Sequence, residues 1–209
     1  MRACENCVVL IRSEPEATRA ERLDSSCPDC ACEHGSVGLL EGATRVDDAE
    51  ALYSVIVTPP DEVDGHQLLL TMLTHAETSG LSVLRAQASD EEFVRVAQLR
   101  IAGGAARGQR RTVVGVAEFA CADIRQLRAD GQDSGRALGA RLFCIYDTDD
   151  ESAFHADILQ TSPRGLGKNA TQARRKKDRQ RLLEVYRRAT VIRAENFRGG
   201  FLSRVSVSP

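Results

Sequence analysis

The spacing of the cysteines constrains this chain more than any other feature of its sequence. Five of its seven cysteines lie within the first 32 residues, and four of them form two Cys-x-x-Cys pairs separated by 19 residues. Each short turn directs two thiolates at one point, so that two turns complete a tetrahedron around Zn²⁺. We therefore predict a four-thiolate zinc site formed by Cys4, Cys7, Cys27 and Cys30.

This pattern resembles the zinc-ribbon and zinc-knuckle families over residues 1–40. The resemblance rests on Cys4-Glu5-Asn6-Cys7 and Cys27-Pro28-Asp29-Cys30. It implies a structural metal, because four protein thiolates leave no open position for water. Two features depart from the usual pattern. No glycine follows the second cysteine of either pair, and Cys32 and His34 lie so close to the second pair that one of them could replace a predicted ligand.

The remaining cysteines are predicted to be packing residues. An odd number of cysteines in a chain without an export signal argues against a disulfide framework. Cys121 and Cys144 have apolar neighbours, which is typical of buried cysteines. The first dozen residues lack the apolar core of a secretory signal, and no window contains 18 uncharged apolar residues. We therefore expect a cytoplasmic protein with no membrane span.

Residues 41–163 are predicted to form a compact mixed body of the α/β or α+β class, because strand and helix patterns interleave. β-Branched and aromatic residues predict strands over 52–58, 82–85, 112–119, 141–146 and 155–159. Ser89 followed by Glu92 forms a capping box and predicts that a helix begins there. Further helices are predicted over 14–23, 68–77 and 122–129, with a loop of small residues over 102–108. The chain thus divides into a zinc module (1–40), a body (41–163) and a tail (164–209).

The tail carries most of the unbalanced positive charge. Residues 164–209 contain 13 basic and three acidic side chains, whereas the preceding residues contain 15 basic and 27 acidic ones. Residues 172–193 lack glycine and proline and are predicted to form one helix that packs on the body, and 201–207 is predicted to add an edge strand. The first, charged half of the predicted helix is a candidate nucleic-acid-binding surface. It is made of Arg174, Arg175, Lys176, Lys177, Arg179 and Arg181.

These observations favour a cytosolic, zinc-containing accessory protein that binds DNA or RNA through the basic helix. A second hypothesis is an enzyme, either a metal-dependent nuclease or a nucleotide-consuming toxin. Acids in residues 147–151, together with His155 and Asp157, could hold Mg²⁺ or Mn²⁺. The predicted catalytic residues are then Asp147, His155 and Asp157. A third hypothesis is an adaptor whose tail binds an acidic protein, and the tail could equally dock on the acidic body.

A second group of polar residues lies between residues 75 and 85. His75, Glu77, Ser82 and Arg85 occur within eleven residues. Residues of these types could bind an anionic ligand and supply a general base. The alternative interpretation is structural: His75 packs, half-buried, beside apolar neighbours.

Overall fold

The structure is a computed structural model that describes residues 4–12, 18–33, 35, 45–59, 62–63, 67–132, 135–148 and 154–205. Its centre is a six-stranded antiparallel sheet with the strand order β6-β7-β4-β1-β5-β8. Strands β2 and β3 pair with each other in a separate two-stranded sheet. The strands of the described residues are β1 (Ala51–Thr58), β2 (Glu62–Val63), β3 (Gln67–Leu68), β4 (Leu81–Arg85), β5 (Thr112–Ala120), β6 (Phe143–Asp147), β7 (His155–Gln160) and β8 (Thr190–Arg193). The predicted mixed fold is confirmed, and the antiparallel sheet makes it α+β.

Helices cover both faces of this sheet. The α-helices are α1 (Glu5–Arg12), α2 (Arg19–Ser26), α3 (Asp90–Ala105), α4 (Cys121–Arg125) and α5 (Lys168–Arg188), and 3₁₀ helices span Pro28–Cys30, Leu70–Glu77, Phe197–Gly199 and Phe201–Arg204. Within the described residues, no helix is both long enough and apolar enough to cross a membrane.

Alternation along the strands separates two main cores. Leu52 and Ile56 of β1 face α5 and the 70–77 helix, and they belong to the larger core. Val55 and Val57 face the opposite side, where α3 contributes Phe93 to the second core. This period of two is expected for a strand that is buried on both faces.

The N-terminal helices α1 and α2 form a third apolar cluster. Ile11 and Leu23 pack there against Tyr146 of β6 and Leu159 of β7. Strand alternation places this cluster on the same face of the sheet as α3. The cysteine-rich segment is therefore packed on the sheet edge rather than separated from the body.

The sheet opens between β1 and β4. The two strands pair only at Leu52 with Arg85 and at Tyr53 with Leu84. Beyond this point, β1 continues along β5 as far as Thr58, while β4 continues along β7 as far as Leu81. Arg100 of α3 donates a hydrogen bond to the Val55 carbonyl in this part of β1, at 2.5 Å. The divergence leaves room for a cleft that α3 borders.

The boundaries of several predicted elements change where tertiary pairing competes with local pattern. Helix α3 begins at the predicted Ser89 capping box but continues to Ala105, through residues that were predicted to form a loop. Helix α5 begins at Lys168 and ends at Arg188, and Thr190–Arg193 pairs with β5 instead of continuing the helix. The predicted edge strand at 201–207 is wrong over Phe201–Arg204, which form a 3₁₀ turn.

Candidate functional site

Three cysteine sulfurs lie close together at the N-terminal end of α1. Cys4 immediately precedes α1, Cys7 lies in its first turn, and Cys32 follows the 28–30 turn. Their Sγ atoms all lie within 4.8 Å of one another. The Zn–S bond length of about 2.3 Å implies S···S distances of about 3.8 Å around a tetrahedral ion, so this cluster could hold a metal after small adjustments.

Cys27 lies beside this cluster and contacts it through Cys32, although its sulfur does not belong to the group of three. Its Sγ accepts a hydrogen bond of 3.0 Å from the backbone N–H of Cys32. The backbone N–H of Cys4 in turn lies 3.4 Å from Cys32 Sγ. Burial and, next, hydrogen bonding with Cys4 raise the pKa of Cys7. A bound cation would oppose this effect by stabilising the thiolate.

Cys30 lies apart from the other four. The chain turns at Cys30, which has a left-handed φ of 58°, and its sulfur forms a disulfide with Cys144 of β6. The sequence argument against disulfides did not anticipate this pair. The structure thus places Cys32, rather than Cys30, beside Cys4 and Cys7. His34, the other predicted substitute, lies outside the described residues.

Glu33 connects the cysteine-rich segment to the body through buried ion pairs. Its carboxylate is fully buried and accepts hydrogen bonds of 2.6 Å from Arg141 and 2.9 Å from the Ile145 backbone N–H. The Arg125 guanidinium lies 2.7 Å from the same carboxylate. Removing one partner of a buried ion pair strongly destabilises the folded protein, because the remaining charge stays buried without compensation. This contact therefore fixes where the neighbouring Cys32 lies.

The predicted basic surface of α5 is largely engaged within the molecule. Arg179 is buried and forms an ion pair with Glu77. Arg181 contacts Asp130 at 2.6 Å, and Arg175 donates a 2.6 Å hydrogen bond to Ser162. Arg174 contacts the Gln132 carbonyl at 3.5 Å, whereas Lys176 and Lys177 are exposed.

The predicted catalytic acids lie on opposite faces of the sheet. Asp147 is fully buried on the α5 face, where its carboxylate lies 3.4 Å from Arg85, which also pairs with Glu50. His155 and Asp157 face the other side, and Asp157 lies 3.7 Å from Arg19 of α2. Residues 149–151 lie outside the described part of the chain. Asp147 therefore does not converge with His155 on one metal ion.

His155 instead connects two segments that are distant in sequence. Its Nε2 contacts the hydroxyl of Ser82, on the neighbouring strand β4. Its Nδ1 lies 2.9 Å from Thr148 Oγ1 and 3.3 Å from the Thr148 carbonyl oxygen. Ser82 and His155 thus have the mutual geometry of a nucleophile and base, with Thr148 orienting the ring.

Ser82 also lines a cleft of about 520 Å³ in the opening between α3 and the 70–77 helix. We call it the arginine cleft, because three arginines line it and none of its described lining residues is acidic. The lining residues are Thr71, Met72, Thr74, His75, Gly80, Leu81, Ser82, Val96, Leu99, Arg100, Gly103, Arg107 and Arg111. Of the second predicted group, His75 and Ser82 reach this cleft, whereas Glu77 and Arg85 pair elsewhere.

The arginines of the cleft are held to different extents. Arg111 donates a 3.0 Å hydrogen bond to the Arg100 carbonyl and lies across Gly104 of α3, where any Cβ atom would overlap it. Arg100 is tied to β1 through Val55. Arg107 is exposed in the turn that follows α3. The guanidinium groups of Arg100 and Arg111 are therefore preorganised, whereas Arg107 is exposed to solvent.

A sequence signal for this cleft exists, although we did not predict the arginines. Residues 93–117 contain five arginines and no acidic residue. This stretch is less dense in charge than the tail, and its charges are divided between helix α3 and the connection that leads from α3 to β5. Comparisons with family models, curated proteins and solved structures give no match for this chain.

Proposed function

We propose that the protein binds a phosphate-bearing ligand of about nucleotide size in the arginine cleft. The observation that carries this proposal is a cavity of about 520 Å³ that is lined by Arg100, Arg107 and Arg111 and by no acidic residue among the described lining residues. Ligand pockets commonly have volumes of about 300–1,000 Å³. Guanidinium groups suit phosphate because they donate parallel hydrogen bonds to two of its oxygens.

The apolar part of the cleft supports a ligand with more than a bare phosphate. Val96, Leu81 and Met72 line it, and Leu99 is 60% exposed at its border. Such side chains would contact the organic portion of a ligand while the arginines hold its phosphates. A nucleoside diphosphate combines these two properties.

Calorimetric titration with ADP, pyrophosphate and adenosine tests this proposal. We expect ADP to bind more tightly than adenosine, and Arg107→Gln to weaken ADP binding about 10-fold or more, since a charged hydrogen bond contributes about 1.5–3 kcal/mol. Arg110→Gln is the matched control, because Arg110 is exposed in the same segment but does not line the cleft. Equal losses in both variants, or no phosphate dependence in the wild type, would contradict the proposal.

We also propose that Cys4, Cys7, Cys27 and Cys32 hold one structural zinc ion. The clustered sulfurs of Cys4, Cys7 and Cys32 support it, and four thiolates are a common zinc ligand set. Such an ion would join α1 to the 28–30 turn without offering a coordination position to substrate.

Elemental analysis of protein purified without chelators distinguishes the two ligand sets. We expect about one zinc per chain, lost in Cys32→Ser and retained in the double variant Cys30→Ser/Cys144→Ser. Retention in Cys32→Ser with loss in the double variant would restore the set predicted from sequence. Glu33→Ala should keep the zinc but lower the free energy of unfolding by about 3–5 kcal/mol.

Nucleic-acid binding by α5 stays a prediction. The intramolecular pairs of Arg175, Arg179 and Arg181 favour the alternative in which this helix docks on the body. A duplex oligonucleotide added to the titrations above addresses it. Tight binding with a steep dependence on salt would favour the nucleic-acid hypothesis.

A further inference from the structure

We propose that Ser82 is a nucleophile that accepts a phosphoryl group from a ligand bound in the arginine cleft, with His155 as its general base. This inference rests on the proposed phosphate binding. It starts from the contact between Ser82 Oγ and His155 Nε2, which brings together residues that are 73 positions apart in the chain. Ser82 is exposed and lines the cleft, so its hydroxyl is accessible to a bound ligand.

Thr148 contacts the other ring nitrogen of His155. Nδ1 lies 2.9 Å from Thr148 Oγ1 and 3.3 Å from the Thr148 carbonyl oxygen, which can only accept a hydrogen bond. A ring that carries its proton on Nδ1 can donate to these oxygens and leaves Nε2 as the acceptor for the Ser82 hydroxyl. In this tautomer His155 is able to remove the serine proton, as a general base must. Thr148 acts as a positioning residue.

The strands explain why this arrangement is held in place. His155 pairs with Leu84 across β4 and β7, and Ser82 pairs with Asp157. Ser82 and His155 are thus diagonal neighbours on one face of the sheet, within reach of each other. Thr148 follows β6, the next strand. Three adjacent strands position the three groups, which limits their freedom to separate.

The chemistry is balanced without a redox partner. Ser82 Oγ forms a bond to phosphorus while the bond from phosphorus to the leaving oxygen breaks. The serine proton passes to His155 Nε2 and then to the leaving group. Water subsequently attacks the phosphorus of the phosphoserine while the bond from phosphorus to Ser82 Oγ breaks. His155 takes the proton of the water and passes it to Ser82 Oγ, so that both side chains return to their starting state and the products are inorganic phosphate and the dephosphorylated ligand. The cleft arginines would stabilise the negative charge on the transferring group.

Phosphate release from ADP and from 4-nitrophenyl phosphate tests this reaction. We expect turnover by the wild type and a loss of 100-fold or more in Ser82→Ala and His155→Ala. Ser25→Ala is the control, because Ser25 is also exposed and its hydroxyl only contacts the Glu21 carbonyl. After an acid quench, mass spectrometry should find a phosphoryl group on Ser82. Thr148→Val should lower kcat but not ADP affinity, and Thr148→Ser should restore it.

The outcomes separate this inference from the binding proposal. If Ser82→Ala binds ADP like the wild type and releases no phosphate, both stand. The proposed role of Ser82 as nucleophile is overturned if the wild type binds ADP but releases no phosphate from either compound. It is also overturned if the wild type and Ser82→Ala release phosphate at the same rate. In both cases the binding proposal is retained. If ADP does not bind and Ser82 is not phosphorylated, both proposals fail.

Discussion

Two arginines of α5 lie against carboxylates of the body, whereas Arg100, Arg107 and Arg111 line a cleft that has no acidic residue among its described lining residues. Arg179 pairs with Glu77 and Arg181 with Asp130. Arg107, in contrast, reaches the arginine cleft from an exposed turn. The denser charge run in the sequence thus contains arginines that are already paired within the molecule, whereas the sparser run lines the cleft. The availability of a charge to a ligand therefore depends on its neighbours in the fold, because a paired guanidinium has already exchanged water for a carboxylate.

Removing the one acid in the charged half of α5 should have the largest effect. Asp178 is fully buried, and its carboxylate lies 2.5 Å from Arg136 and 3.2 Å from Gln160. Asp178→Ala would leave the Arg136 guanidinium buried without this partner. We expect a loss of about 3–5 kcal/mol in the free energy of unfolding, measured by urea denaturation.

Asp130→Ala is the control for this experiment. Asp130 pairs with Arg181, but its side chain is 54% exposed, so the loss should be less than about 1 kcal/mol. Similar losses in the two variants would show that α5 does not dock through its buried face, and the contrast between the basic segments would weaken.

Reversing the charges of Arg175, Lys176 and Arg179 to glutamate should have an intermediate effect. Arg179 is buried against Glu77, which is 27% exposed, and Arg175 contacts Ser162 and Glu21. We expect the triple variant to lose about 2 kcal/mol or more of stability, below the range for a fully buried pair. The single reversal Lys176→Glu should change stability by less than about 0.5 kcal/mol, since Lys176 is exposed.

A nucleic-acid binding assay on the same triple variant distinguishes a helix that binds phosphates from one that docks on the body. If α5 binds phosphates, the wild type should bind duplexes with a log–log salt slope of roughly −3 to −5, and the reversal should weaken binding to all sequences alike. If α5 docks on the body, stability changes and no such binding appears before or after the reversal.

Adjacent glycines in α3 provide the smallest and most local test. A Cβ atom at Gly104 would overlap the Arg111 side chain, whereas one at Gly103 would have its nearest neighbour, also in Arg111, 4.0 Å away. Both changes to alanine improve helix propensity by about 1 kcal/mol. We expect Gly104→Ala to weaken ADP binding several-fold by displacing Arg111, and Gly103→Ala to weaken it less than twofold. Equal affinities would show that Arg111 does not contact the ligand.

Local patterns predicted most of the elements because their causes lie close together in the chain. The Ser89 capping box depends on residues only three apart, and both of its hydrogen bonds are present. The strand at 112–119 was predicted from β-branched residues and extends only one residue further. The end of α5 was not predicted, because Thr190–Arg193 leaves the helix to pair with the edge of β5, which the local sequence does not reveal.

The candidate sites were predicted only in part. Cysteine spacing located the cluster near residues 4–32. His155 and Asp157 lie on one face of β7, as their spacing of two residues requires in a strand. The spacing could not decide between Cys30 and Cys32, because the choice depends on the turn at Cys30 and on the burial of Glu33 between Arg125 and Arg141. The position of Asp147 relative to His155 depended on the face that β6 presents.

The mixed fold class, the cysteine-rich segment and the two basic segments can be read from the sequence, since spacing and composition encode these properties directly. The pairing of the charges depends on the tertiary structure. Glu77 meets Arg179 and Ser82 meets His155 across 102 and 73 positions of the chain. These partners follow from strand order and helix docking, which result from burial over the whole chain. The arginine-rich stretch 93–117 is visible in the sequence, but the cavity that it lines is not, because this cavity lies where β1 and β4 diverge.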